Sequence, residues 1–306
     1  MKTMLDLEFL SDSQEAIKYL SSSLNDGNLV LFLGAGVSIG LGLPNWATLV
    51  NLIREKKGLK LVPTASSAEE LQKAAEEIRI VINEDTEYFR VLKECLYCNT
   101  PNLSSSILSN KLLISLGTLF TSNRRGSVKR VVTLNFDSML EWYLQLCGFD
   151  VRVVYKFPHL EGSEDIIIYH PHGFLPHKSM NLENSDFIIF DLKQANNRLN
   201  PHTNDSQYQE KTRNYLRTGV CLFIGMSEAT FDDRTVGSLV TQVGEEVKHG
   251  PNGRPTGFWF VQKDTFANIK DYFIDNNIVP LSYGSVDDIP DFLLGIAHHS
   301  SKLILT

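Results

Sequence analysis

The stretch Leu29-Val30-Leu31-Phe32-Leu33-Gly34-Ala35-Gly36-Val37-Ser38 decides the reading of this chain. Its first five residues have strand length, and apolarity that does not alternate marks a strand buried on both faces, as in a parallel sheet. The run passes straight into Gly-Ala-Gly, and beyond Leu43-Pro44-Asn45 a helical pattern extends from Trp46 to Lys57. Upstream, Asp12 to Ser23 reads as an amphipathic helix stopped by Asn25-Asp26-Gly27, with Ala16, Ile17, Leu20 and Leu24 at helical spacing. Similar apolar runs recur at Val131–Thr133, Ile166–Tyr169, Phe187–Phe190, Val220–Ile224 and Phe258–Val261. Helical patterns separate them at Ser138–Cys147, Asp232–Lys248 and Ile289–His298. This alternation predicts an α/β fold, a Rossmann-like, doubly wound and mostly parallel sheet.

Between about 60 and 122 the rhythm breaks. Glu69–Val81, Glu87–Cys98 and Ser105–Phe120 are helical patterns without a convincing strand among them, which predicts a helical insertion. Residues 178–217 are polar and Asn-rich, which predicts a loop or a second small insertion. With no internal repeat, the expectation is a single domain over 1–306, its tail from 250 closing the same sheet.

At 306 residues and 42% apolar, the chain has enough material for a large core and is far from the composition of disorder. A formal charge of −7 argues against general nucleic-acid binding. The longest apolar stretch, Leu29 to Val37, has about half the length of a membrane span. The start, MKTMLDLEFLSDSQEA, is acidic and broken by polar residues, unlike a secretory signal. Four scattered cysteines suit a reducing cytoplasm, so a soluble cytoplasmic protein with no membrane contact is expected.

Four places carry candidate chemistry. Glycines at 34, 36 and 40 let backbone approach a ligand phosphate, and free N–H groups at such a turn favour an anion, although a Gly-rich turn is often only a turn. A P-loop is excluded because no Gly-Lys pair exists in the chain. A dehydrogenase unit is excluded because the glycine spacing misses by one and Glu55 lies in a helical pattern. Thr133-Leu134-Asn135-Phe136-Asp137 ends a buried strand in three alternating polar side chains, where ligands sit in open α/β sheets. The same residues also fit a simple turn with Asp137 capping the helix from Ser138. His170-Pro171-His172-Gly173 follows another apolar run; with His177 it raises metal binding, but the spacing is not that of a zinc-protease helix. Gly225-Met226-Ser227 closes the fourth run and is not a nucleophile elbow, since position 229 is Ala.

Two further clusters read as structural. Cys95 and Cys98 lack a second pair for zinc and are expected on one helix face, with Cys147 and Cys221 distant. Arg124, Arg125, Lys129 and Arg130 precede a buried strand as a solvated loop rather than a nucleic-acid patch.

In order, Gly34-Ala-Gly-Val-Ser38 with Gly42-Leu-Pro-Asn-Trp46, Thr133-Leu-Asn-Phe-Asp137, His172-Gly173 and Gly225-Met-Ser227 resemble the motif series of the sirtuin-like family over residues 28 to about 245. The likeness is greatest to bacterial sirtuin-like NADase domains of anti-phage defence. It departs from protein-deacylating sirtuins in two ways: no four-Cys zinc ribbon follows the histidine, and Leu134 stands in the Gln place. Phe231-Asp232-Asp233 is spaced differently from the family's Ser-x-x-Asp. The resemblance implies NAD as substrate without zinc, cleaved at the nicotinamide–ribose bond. It implies Asn135 and His172 as catalytic, with Gly34, Ala35, Gly36, Ser38, Pro44, Thr133, Asp137, Gly225 and Ser227 binding the dinucleotide, and Trp46 packing its helix rather than stacking on cofactor. An NADase needs restraint, and these 306 residues are expected to form the sheet without a sensor domain. A homo-oligomer or a regulatory partner such as a HerA-type ATPase is therefore expected. An NAD or ADP-ribose sensor without turnover is the alternative, or a protein deacylase or ADP-ribosyltransferase.

Overall fold

A computed structural model describes residues 7, 9–63, 66–100, 103–121, 126–156, 162–178, 180, 188–191, 193–194, 206–227, 236–250 and 253–303. Seven strands form one sheet: β1 (Leu29–Leu33), β2 (Arg130–Thr133), β3 (Val151–Val154), β4 (Ile166–Tyr169), β5 (Val220–Ile224), β6 (Gly257–Gln262) and β7 (Ile278–Tyr283). Their order is β3-β4-β2-β1-β5-β6-β7, and every pairing is parallel. The fold is the expected Rossmann-like α/β sheet.

The continuous apolarity of β1 has a direct cause. Leu29, Leu31 and Leu33 join one core, while Val30 and Phe32 join another on the opposite face. The same division recurs in β5, with Leu222 and Ile224 on the first side and Cys221 and Phe223 on the second. A strand covered twice has no position for a polar residue.

Helices clad both faces. Chain order gives α1 (Ser13–Asn25), α2 (Gly36–Ile39), α3 (Trp46–Lys56), α4 (Ala68–Val81), α5 (Asp85–Leu96), α6 (Leu103–Ser109) and α7 (Lys111–Phe120). After β2 come α8 (Met139–Leu146), α9 (Ser206–Thr218), α10 (Gly237–Lys248), α11 (Lys263–Asp275) and α12 (Asp288–Leu303). The larger core takes side chains from α1 to α8 and α12, and the smaller from α9, α10 and α11. Caps set the starts: Asp12 accepts from the N–H groups of Gln14 and Glu15, and Asn45 from Thr48. Ser67 and Glu70 close a reciprocal capping box on α4.

Several expectations need correction. The helical pattern Ser105–Phe120 is two helices meeting at 61°, because the Asn110 side chain takes the Leu113 N–H and restarts the helix. The run at Phe187–Phe190 is not a strand of the sheet: Ile188 makes only an isolated antiparallel bridge to Gly173, and Phe187 lies outside the described residues. Residues 206–218, assigned to a polar loop, form α9, whose Tyr215 and Leu216 are buried. Cys95 is buried in α5, but Cys98 lies beyond the helix end and is exposed, so the two do not share a helix face. The pattern starting at Asp232 is helical from Gly237; Asp232, Asp233, Phe231, Arg124 and Arg125 lie outside the described residues. Glu55 lies in α3, as its pattern indicates. Strands β3 and β7 and helix α11 were not singled out in the sequence.

No single described helix is long and apolar enough to cross a membrane. The bent pair α6–α7 approaches that composition, yet Leu112, Leu113, Leu116, Leu119 and Phe120 are buried in the larger core.

Candidate functional site

Parallel register places the four motifs at one edge. Leu33 is level with Thr133 on β2 and with Ile224 on β5, and Val132 is level with Tyr169 on β4. All strands run the same way, so Gly34–Ser38, Asn135–Asp137, His170–Gly173 and Gly225–Ser227 all emerge beyond the carboxyl ends of four adjacent strands. Between β1 and β5 the chain reverses its direction of progress across the sheet, the position where open α/β sheets bind ligands.

The glycines serve backbone packing first. Gly34 N–H donates to Ile224 O and Gly36 N–H to Gly225 O, both at 2.9 Å. A Cβ on Gly34 would lie 2.5 Å from Gly225 O, and one on Gly36 2.6 Å from Gly225 Cα. Gly225 has φ 69°, a conformation open to glycine at little cost. The two turns thus lock main chain to main chain. Val37 and Ser38 N–H groups fold back onto Gly34 O and Ala35 O, while the Ala35 N–H has no hydrogen-bond partner among the described residues. The turn offers an anion one free amide, not the full cradle suggested by its glycines.

Asn135 reaches across to this turn. Its Nδ2 donates to Gly34 O at 3.1 Å and to Ser38 Oγ at 3.4 Å, and its N–H donates to Thr133 Oγ1 at 3.2 Å. With the amide so oriented, Oδ1 has no partner among the described residues and remains an acceptor. Ser38 Oγ donates to Asp137 Oδ1 at 3.0 Å, and the same oxygen accepts the Met139 N–H at the start of α8. The N-cap of α8 is Ser138, one residue later than the expected cap, so Asp137 takes the first helical N–H from the position before it and also anchors Ser38. Burial pushes the Asp137 carboxyl up from 3.8 to about 6, with the neighbouring Glu141 charge adding and the Met139 and Ser38 hydrogen bonds opposing. Leu33, Val37, Ser38, Thr133, Asn135, Asp137, Leu140 and Glu141 line a cavity of about 10 Å³, roughly the space of one water molecule.

The three histidines separate. His170 is fully buried between Asn135 O and Glu141 Oε1. His177 stacks on the Trp142 ring at 5.3 Å with Tyr97 edge-on, and burial lowers its pKa. His172 is half-buried, ahead of Gly173 with φ 99°, and its carbonyl accepts from Ile189 N–H. Among the described residues no group of three or more His, Cys, Asp or Glu could hold a metal ion. Sequence reasoning saw His170 only as a metal candidate and missed Glu141 and Tyr97. The Tyr97 hydroxyl donates to Leu175 O at 2.7 Å and accepts the Ser138 N–H, joining the Asp137 and His172 loops. The one available signal for Glu141 was its place on the apolar face of α8.

Ser227 is exposed and Pro44 half-buried, while Trp46 packs against the larger core. A second cavity, about 370 Å³, shares Val37 with the first and includes Gly36, Gly40, Ser109, Asn110, Lys111 and Asp287. Neither cavity is lined by His172, Gly225 or Ser227.

Two comparisons bear on this edge. Residues 129–281, half of the chain, match a SIR2-like domain, a span that runs from β2 into β7. The chain is also similar to the NAD(+) hydrolase ThsA of Cytobacillus dafuensis, 24% identical over 264 residues. That match covers 83% of this chain and 45% of ThsA, so the chain spans less than half the length of that relative. With strand order, motif placement and matched span in agreement, this chain belongs to the SIR2-like domain family.

Proposed function

We propose that this chain hydrolyses NAD+ at the nicotinamide–ribose bond, releasing nicotinamide and ADP-ribose. The observation that carries the reading is the Asn135 amide, tied through Nδ2 to the Gly34 turn with Oδ1 left to accept. Nicotinamide departs from a pyridinium with the bonding electron pair and needs no proton, so the paired carboxylates of ordinary glycosidases are unnecessary. Water forms the new bond to the anomeric carbon. Asn135 Oδ1 orients that water or a ribose hydroxyl, and His172 takes its proton, directly or through a ribose hydroxyl. Ala35 N–H, with the turn from Gly34 to Ser38, faces the pyrophosphate; Ser227 stands toward the adenosine ribose. Asp137 holds Ser38 and supplies negative charge near the developing oxocarbenium. Similarity to a protein named as an NAD(+) hydrolase supports the substrate.

On this reading the biological role is NAD depletion in anti-phage defence, restrained by self-association or by a partner such as a HerA-type ATPase. No zinc is required. Purified protein incubated with NAD should yield nicotinamide and free ADP-ribose by chromatography, without an acceptor protein. Asn135→Ala and His172→Ala should each lower turnover by about 10²–10⁴-fold while remaining folded; undiminished turnover in both rejects the assignment. One observation favours a second reading, an NAD or ADP-ribose sensor: the 370 Å³ cavity reaches Gly36 but neither Asn135 nor His172. Saturable binding of NAD without product would select it.

A further inference from the structure

His170 and Glu141 form a hydrogen-bonded acid–base pair removed from solvent, 0% and 1% exposed, which the proposed chemistry does not use. Its geometry has a clear direction. The Asn135 carbonyl can only accept, so His170 Nδ1, 2.9 Å away, carries a proton. Nε2 faces Glu141 Oε1 at 2.6 Å, and that contact shares one further proton between imidazole and carboxyl. Burying such a pair is costly, and it is tolerated only where each group is held by partners.

The main chain of His170 extends the connection. Its N–H donates to Val154 O on β3, and its carbonyl accepts from Gly173 N–H at 3.1 Å, bracing the His172-Gly173 turn. The Phe174 ring packs edge-on at 4.6 Å. One residue therefore grips the backbone of Asn135 through its side chain and the turn of His172 through its carbonyl. Glu141, projecting from α8, sets the ring orientation.

We propose that His170, oriented by Glu141, is the positioning residue that holds Asn135 and His172 in register with each other. The inference rests on the hydrolase reading for its effect on rate, but not for the coupling itself. Misplacing a reacting group by about 1 Å costs about 10²-fold.

Two substitutions divide the ring's functions. Asn places its amide nitrogen where Nδ1 stands, so His170→Asn keeps the bond to Asn135 O; Gln places it near Nε2, so His170→Gln keeps only Glu141. The expected result is kcat within about 10-fold of wild type for His170→Asn and about 10²-fold lower for His170→Gln, with KM for NAD little changed in either. Hydrogen exchange, read without substrate, should quicken at residues 134–137 and 173–175 in His170→Gln and not in His170→Asn. Equal turnover by the two variants, or exchange unchanged in His170→Gln, overturns the proposal. Wild-type protein that fails to turn over NAD rejects the hydrolase reading, and the exchange comparison then decides the coupling by itself.

Discussion

Ser38 Oγ donates to Asp137 Oδ1 at 3.0 Å, and this bond sets the direction of hydrogen bonding as far as Asn135. An ionised Asp137 only accepts, so the Ser38 proton is committed to it and the Ser38 oxygen is left to accept from Asn135 Nδ2. A protonated Asp137 can donate to Ser38 instead, and the chain of bonds loses its fixed sense.

Activity should follow that switch. Burial brings Asp137 to about 6, so turnover is expected to fall as pH drops below about 6. The limb should vanish in Asp137→Asn, at whatever residual rate that variant retains. A pH–rate profile of both proteins checks it, and an unchanged acidic limb in Asp137→Asn assigns the titration to another group.

Stability should move the opposite way with pH. The folded-state pKa of Asp137 lies above its ordinary 3.8, so the folded protein binds this proton more tightly than the unfolded chain. The resulting stabilisation is complete below pH 3.8 and is lost as pH rises through about 6, amounting to about 3 kcal/mol at most. Denaturant unfolding of wild type and Asp137→Asn at pH 4.5 and 7.5 should show the variant gaining relative to wild type at the higher pH.

Gly225→Ala should be severe. It places a Cβ 2.6 Å from Val37 N on a residue with φ 69°. A loss of about 2 kcal/mol or more is expected from conformational strain and overlap together. Gly27→Ala is the control, since it shares a positive φ of 68° but has nothing within 4 Å of the added carbon. Comparing the two melting temperatures isolates the packing of the β1 and β5 turns.

Asn110→Ala removes the cap that restarts the chain at α7. The expected cost is about 1 kcal/mol, read by denaturant unfolding, and Asn110→Asp should retain most of the stability.

What was legible in the sequence follows burial. Strands covered on both faces, such as β1 and β5, announce themselves by unbroken apolarity. The edge strand β3 has Arg152 exposed between half-buried Val151 and Val153, with only Val154 buried, so its pattern is too weak to separate from a loop. Helix α9 is similarly hidden, because its polar residues dominate and only a few side chains, Tyr208, Thr212, Tyr215 and Leu216, are buried. At the site, motif order picked out four turns that lie along one edge of the sheet. It did not reveal that the glycines are spent mostly on each other, nor that His170 pairs with Glu141 from a helix 29 positions earlier. Contacts between loops of separate strands leave no periodic trace.

Strand β7 ends the sheet and contains Pro280. Thr256 N–H donates to Asn277 O, and alternate residues of a parallel strand turn both main-chain groups toward the same neighbour, so Val279 and Leu281 face β6 while Pro280 faces outward. The outer rim therefore lacks a donor at its midpoint, which discourages a foreign strand from annealing there and extending the array into an aggregate.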